Sequence, residues 1–133
     1  MISFKEYLIL EDECAIYSSE QIKSLEKFAD KLLDKFGVDI EFTKHFGERM
    51  GDSRNVPCIK ISELQQLFKK IEKDKAKKIK GSGDQDEAVL VDIQKDLNLP
   101  FVIEIDDNDE FVVRFKTIMR KKDFKTPNKK IEY

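Results

Sequence analysis

The chain has 133 residues, of which 40% are hydrophobic and 39% are charged, and its formal net charge is −2. This length suits one hydrophobic core rather than two. The near-neutral total charge does not favour nucleic acid or membrane as a bulk partner, and no apolar run has the length of a membrane span. Residues 1–133 are therefore predicted to be a single domain without a membrane partner, with residues 1–17 flexible and residues 80–84 forming a loop.

The charges are distributed unevenly along the chain. Residues 69–80 contain seven lysines, and residues 114–130 contain eight basic residues and one acid. Residues 84–110 contain ten acids and one lysine. A fold that gathers the basic segments would have a face that attracts anions. Alternatively, the lysines of residues 69–80 are ordinary solvated surface.

The two cysteines, Cys14 and Cys58, show no recognisable spacing, and the first residues lack the pattern of a secretory or transit peptide. Both cysteines are therefore expected to be reduced thiols, and the protein is expected to be cytoplasmic.

Local patterns predict the first elements. Ser18 and Gln21 have the spacing of a capping box, and Gly37 is placed to end the helix that follows. Val38–Phe42 alternates with period two, which predicts a half-buried strand. Thr43 is predicted to cap a short helix that ends near Met50. The apolar face of the first helix is formed by Ile22, Leu25, Phe28, Ala29, Leu32, Leu33 and Phe36.

The second half of the chain changes from helical to extended patterns. Ser62 and Gln65 suggest a cap for a helix that runs into the lysine-rich segment, and residues 85–97 suggest another helix. Residues 101–105, 111–119 and 129–133 read as strands, with a hairpin turn at residues 106–109. The predicted fold is α+β, with the N-terminal helices packed on one face of a small antiparallel sheet.

The first candidate site is the segment around the single histidine. On a helix, His45 and Arg49 lie one turn apart on the same face, with Arg54 a few residues beyond. Neutral imidazole can accept a proton from a ribose 2′-hydroxyl, and a guanidinium can hold phosphate oxygens with two hydrogen bonds. The alternative is a surface ion-pair network of Glu48, Asp52 and the two arginines, with His45 uninvolved.

The second candidate site lies about seventy residues later, in the basic segment that follows residue 115. Thr117 and Lys121 would share one face of a strand, opposite Lys116 and Arg120, and Phe124 could stack on a base. The alternative is a charged strand end that discourages edge-to-edge pairing.

No metal site or cofactor is predicted. Residues 106–110 lack the glycine of a calcium loop, and one histidine with two distant cysteines does not make a familiar zinc site. Gly81 and Gly83 have no Lys-Ser/Thr continuation, so they do not form a phosphate loop.

Several strings together resemble a family of uncharacterised phage proteins. They are residues 42–49, then Arg54, Asn55 and Pro57 with residues 59–64, then residues 96–101 and 116–126, so that the likeness covers roughly residues 38–133. More distantly, the layout resembles the barnase/RelE-like ribonuclease superfamily, whose helices precede a small antiparallel sheet that holds RNA and whose catalytic groups work without a metal.

That resemblance implies a role for each candidate residue. His45 would be the acid/base, Arg49 and Arg54 would bind phosphate, and Thr117 with Arg120 or Lys121 would act from the sheet. Lys44, Lys116, Lys121 and Phe124 would bind the substrate. The resemblance implies an endoribonuclease or toxin-like RNase in the host cytoplasm, with RNA as substrate and a protein inhibitor or a phage or host protein as partner.

Two other functions remain open. One is a non-catalytic phage accessory or structural protein that binds another protein, with His45 and the arginines in ion pairs and no cleft. The other is a nucleic-acid-binding module without catalysis, whose affinity would fall steeply with salt.

Overall fold

The computed structural model of the protein describes residues 16–133. Within this range the predicted α+β class is confirmed, with four α-helices and a six-stranded mixed sheet. Most of the segment predicted to be flexible, residues 1–15, lies outside the described residues. Single-domain organisation stays a prediction. None of the helices in the described part is both long and apolar enough to span a membrane.

The helices begin and end largely where local signals place them. Ser18 caps the first helix and forms the reciprocal capping box with Gln21, and Gly37, at a φ of 73°, ends the short 3₁₀ turn after that helix. The cap predicted at Ser62 is wrong, because that helix follows Lys60, whose backbone N–H donates to the Glu63 carboxylate. The helices are α1 (Ser19–Leu33), α2 (Lys44–Met50), α3 (Ile61–Lys73) and α4 (Lys77–Lys80).

The sheet is mixed, which corrects the predicted antiparallel sheet. The strands are β1 (Val38–Phe42), β2 (Glu87–Asp92), β3 (Leu97–Ile105), β4 (Phe111–Phe115), β5 (Met119–Arg120) and β6 (Lys129–Glu132). Their order is β1-β4-β3-β2-β6, with β5 on β3. β1 pairs parallel with β4 and β6 pairs parallel with β2, while β3 is antiparallel to its neighbours.

The helix predicted over residues 85–97 is wrong. Those residues form β2 and a turn that leads into β3, which starts at Leu97 rather than at residue 101. Val89, Ile93 and Leu97 have helical spacing, but Ala88, Val89 and Leu90 of β2 are all buried, so this strand is covered on both faces. Pairing with two neighbouring strands decides between the patterns, because β propensity depends strongly on such non-local packing.

Pro100 explains why residues 111–119 are not one continuous strand. Its carbonyl accepts from the Lys116 N–H. In an antiparallel pair the N–H and the C=O of one residue face the same strand, so a residue at position 100 would also donate an N–H to the segment that contains Lys116. Proline cannot donate there. β4 ends opposite Phe101, and β5 begins opposite Asn98. The three residues between them, 116–118, form a break in the strand at that place.

One hydrophobic core joins the helices and the sheet. Phe115 lies at its centre, with ring centroids 5.6–6.1 Å from four other phenylalanines. Alternate β3 residues, from Leu97 to Ile103, point into the same core. The expectation that all helices lie on one face of the sheet stays a prediction. The rings around Phe115 are Phe42, Phe46, Phe68 and Phe101.

Carboxylates of α1 cover the free edge of β1. The Ile40 N–H donates to Asp30 at 2.6 Å, and the Phe42 N–H donates to Glu26 at 2.8 Å. β1 has one strand neighbour, β4, so these N–H groups face away from the sheet. Two acidic residues one helical turn apart therefore accept hydrogen bonds from the two outward N–H groups of the strand edge.

The expected reduced state of the cysteines is wrong for Cys58, which is disulfide-bonded. Cys14 lies outside the described residues. Disulfides are uncommon in reducing cytosol, so this finding removes one basis of the predicted cytoplasmic location.

Candidate functional site

The two candidate sites predicted from the sequence meet in one cleft of about 440 Å³. One wall comes from α2 and the loop that follows it, and the other comes from residues 117–121 of the broken strand. Six of the nine predicted site residues line this cleft, which we call the His45 cleft. They are His45, Arg49, Arg54, Thr117, Arg120 and Lys121.

Thr43 joins the two walls at one end of α2. Its hydroxyl oxygen accepts from the Phe46 N–H, which caps the helix, and its O–H donates to the Lys116 carbonyl at 2.9 Å. Its own N–H donates to the Phe115 carbonyl. The cap therefore also fixes the helix against the start of residues 116–118.

Asn55 joins the walls at the other end of α2. Its amide donates to the Arg49 carbonyl at 3.0 Å and accepts from the Arg120 N–H at 2.9 Å. The residue is 6% exposed. Because α2 is attached at both ends to residues 116–120, the separation of the two walls is set by the fold. Sequence reasoning missed both connections, which depend on contacts across 65 or more residues.

His45 is exposed and accepts a hydrogen bond from its helical neighbour. The Arg49 Nε–H donates to His45 Nε2 at 3.1 Å, as their spacing of four residues allows. In the neutral imidazole, Nε2 is then the acceptor nitrogen and Nδ1 carries the proton. His45 is thus oriented by Arg49 and remains open to the cleft.

Asp52 connects the two arginines that were predicted to bind phosphate. Its carboxylate accepts from Arg49 Nη1 at 2.9 Å and from Arg54 Nη2 at 2.7 Å, and Arg54 Nε also donates to it. The Arg54 backbone N–H donates to Oδ1 of the same residue at 2.8 Å. Asp52 and the two arginines therefore form part of the ion-pair network considered as an alternative, but His45 is not uninvolved, because it is hydrogen-bonded to Arg49. The cleft that the catalytic hypothesis requires is present as well.

Arg120 lines the cleft, but its guanidinium is largely occupied by other groups. It donates to the carbonyls of Pro57 at 2.7 Å, Lys95 at 2.6 Å and Cys58 at 3.2 Å, and to the Glu63 carboxylate at 2.7 Å. The side chain is 9% exposed. These are the contacts of a residue that positions the loop before α3.

Asn98 supports the same wall from behind and was also missed. Its amide donates to the carbonyls of Asp96, Met119 and Lys121, the last at 2.8 Å. It is 2% exposed and lies between two leucines in β3. A polar amide inside a strand of apolar residues is a sequence signal for such a buried support, because buried polar groups need partners.

The other three predicted site residues lie apart from the cleft lining. Lys44 lines a separate groove beside α1. Lys116 forms an ion pair with Glu87 of β2. Phe124 is half-buried and does not line the cleft. The contacts therefore concentrate the candidate chemistry on His45, Arg49, Arg54, Thr117 and Lys121.

Among residues 16–133, no three His, Cys, Asp or Glu side chains are grouped so that they could hold a metal ion. Comparison of the chain with protein-family models, curated proteins and solved structures finds no match. The barnase/RelE-like fold and the phage family therefore stay predictions from the sequence.

Proposed function

We propose that this protein is a metal-independent endoribonuclease of phage origin and that the His45 cleft is its active site. The observation that carries the proposal is that the two candidate sites, about seventy residues apart in sequence, line one cleft of about 440 Å³. A cleft with one histidine and several cationic side chains is suited to the anionic backbone of RNA.

The proposed reaction is transesterification. The ribose 2′-oxygen attacks the adjacent phosphorus and gives its proton to His45, the P–O5′ bond breaks, and a 2′,3′-cyclic phosphate forms. The leaving 5′-oxygen takes a proton from water. Arg49 and Arg54 stabilise the charge on the phosphoryl oxygens, while Thr117 and Lys121 hold the phosphate from the opposite wall.

The Arg49–His45 hydrogen bond constrains this mechanism. While the Arg49 Nε–H occupies His45 Nε2 at 3.1 Å, that nitrogen is not available as a base. A bound phosphate offers Arg49 a stronger, charged acceptor than neutral imidazole. Substrate binding would therefore move the guanidinium to the phosphate and release the lone pair of His45.

The same hydrogen bond favours a second candidate, a nucleic-acid-binding module without catalysis. If Arg49 keeps its contact with His45 when RNA binds, the cleft has cations for phosphate but no free base. This alternative gives salt-dependent binding without cleavage. The non-catalytic protein-binding alternative expects ion pairs and no cleft, so the Arg49–Asp52–Arg54 pairs fit it and the cleft does not.

A toxin-like RNase needs a partner that suppresses it, so a protein inhibitor and a host-cell cytoplasmic setting belong to the proposal. The Cys58 disulfide is the observation against a reducing compartment.

Replacement of His45 by Ala tests the proposal. With a labelled single-stranded RNA and EDTA present, wild-type protein is expected to produce fragments that end in a cyclic phosphate. The variant is expected to cleave about 10²–10⁴-fold more slowly, the range for loss of a general acid–base group. Gel electrophoresis of the RNA over time measures both rates.

Lys31→Ala is the matched control, since Lys31 is an exposed residue of α1 outside the cleft lining. It is expected to cleave at the wild-type rate, and circular dichroism should show that all three proteins are folded. Cleavage by H45A at the wild-type rate, or no cleavage of any RNA by wild-type protein, would refute the catalytic proposal.

A further inference from the structure

Asp52 lines the His45 cleft between the two arginines that are proposed to bind phosphate. Its carboxylate receives N–H groups from two different arginines, Arg49 and Arg54. Arg54 donates from Nε to Oδ1 at 3.1 Å and from Nη2 to Oδ2 at 2.7 Å, which is the side-on arrangement of a guanidinium on a carboxylate or phosphate. The two arginines thus form an oxyanion-binding pair that already holds an anion from the protein itself.

The exposures leave the two arginine side chains accessible to a ligand. The Arg54 side chain is 71% exposed and that of Arg49 is 32%, while that of Asp52 is 20%. Ion pairs of exposed side chains are weak, so an incoming phosphate can compete with Asp52, most readily for Arg54, the more exposed of the two arginines. By contrast, the Arg120–Glu63 pair nearby is almost enclosed, with side chains 9% and 11% exposed.

Asp52 also has a contact that would remain after a phosphate had replaced it on the arginine side chains. The Arg54 backbone N–H donates to Asp52 Oδ1 at 2.8 Å. This turn contact keeps Asp52 beside the arginines after they rotate away. The carboxylate would then remain near the bound phosphate, where its negative charge opposes binding.

We propose that Asp52 is an internal competitor for the phosphate-binding pair Arg49–Arg54 and so sets the affinity of the cleft for a phosphodiester backbone. This inference rests on the proposed function only in its ligand class, because it concerns binding and does not require cleavage. Substrate must displace Asp52 from the arginines before Arg49 can leave His45.

The test is the affinity of Asp52→Asn for a short 2′-O-methyl oligoribonucleotide, which has the phosphodiester backbone but no free 2′-hydroxyl and cannot be cleaved by transesterification. At fixed salt, D52N is expected to bind about tenfold or more tightly than wild-type protein by fluorescence anisotropy, since one opposing charge has gone. Asp107→Asn removes an equal charge from an exposed hairpin turn and is expected to change the affinity less than about twofold.

A double-mutant comparison separates competition from general charge. Arg54→Ala should weaken binding by a larger factor in the D52N background than in wild type, because only there is Arg54 free for the ligand beforehand. Equal or weaker binding by D52N would overturn the inference and show that Asp52 positions the arginines. If D52N fails to fold, Asp52→Ser keeps an acceptor for the Arg54 N–H and carries the same expectation.

The outcomes of the two proposals are distinguishable. Tighter binding by D52N with no cleavage by wild-type protein would support the role of Asp52 and refute the ribonuclease proposal. Cleavage by wild-type protein with no increase in the affinity of D52N would support the ribonuclease proposal and refute the role of Asp52.

Discussion

Single residues attach the cleft walls to the rest of the fold, and Arg120 is one of them, with four side-chain hydrogen bonds to other segments. Its guanidinium joins the loop before α3, the β2–β3 turn and the Glu63 carboxylate. Removing one partner of an enclosed ion pair leaves the other charge without compensation. Arg120→Met is therefore expected to lower the free energy of unfolding by about 3–5 kcal/mol, measured by urea denaturation.

Arg114→Met is the matched control for that prediction. Arg114 also pairs with two glutamates, Glu41 and Glu104, but its side chain is 36% exposed. The hydrogen bonds to those glutamates, with Glu104 the larger cause, raise the pKa of Arg114. Loss of an exposed pair should cost about 1 kcal/mol or less. Similar losses for the two variants would contradict the structural role of Arg120.

At the scale of elements, the contact between α1 and β1 gives the fold a pH dependence. Burial, followed by the neighbouring carboxyls of Asp39 and Glu26, raises the pKa of Asp30 to about 7. An ordinary aspartate titrates at about 3.9 in an unfolded chain. Protonated Asp30 therefore favours the folded state below about pH 4, and this contribution is lost as the pH rises to about 7.

Asp30→Asn is expected to remove that dependence, because asparagine stays neutral and still offers an oxygen to the Ile40 N–H. The variant should melt near the wild-type temperature at pH 4 and at a higher temperature at pH 8, as measured by circular dichroism. Asp107→Asn should show no such difference. A D30N protein less stable than wild type at pH 8 would contradict the assignment.

The elements that sequence predicts well are those whose signals are local. The Ser18–Gln21 capping box, the Thr43 cap, Gly37 and the turn after Ile105 each depend on residues within four positions, and each is present. The spacing of His45 and Arg49 is likewise a local property of one helix.

Features that depend on distant pairing were not predictable in the same way. The sequence predicts a helix at β2 because Val89, Ile93 and Leu97 fit the period of a helix as well as that of a strand. Pairing with β3 and β6 makes the segment a strand. The strand break at residues 116–118 follows from Pro100 on the neighbouring strand. The carbonyls that hold Arg120 come from two other segments, so its sequence position beside Lys121 and Lys122 gave no sign of them.

At the scale of the whole molecule, a single core connects every helix with the sheet. Phe115→Ala should therefore destabilise all elements together, by about 3–5 kcal/mol. Urea transitions followed by far-UV circular dichroism and by tyrosine fluorescence should shift equally and keep a common midpoint, since the chain has no tryptophan. Phe111→Ala, which truncates a half-buried ring, should cost less.

Separate transitions for the two signals would contradict the prediction that the chain is one domain. Both walls of the cleft are anchored in that core, through Phe46 and Met50 of α2 and through Ile118, so loss of the core should also remove the cleft. Binding and folding could then be measured as linked equilibria.

The carboxylates along β1 have a consequence for how copies of this protein behave in concentrated solution. An open strand edge is a template on which another chain can add a strand and begin polymerisation. Here the outward N–H groups of Ile40 and Phe42 are already bound by Asp30 and Glu26. A second chain would have to displace both of these side-chain acceptors, so α1 acts as a cover that keeps this edge of the sheet from growing.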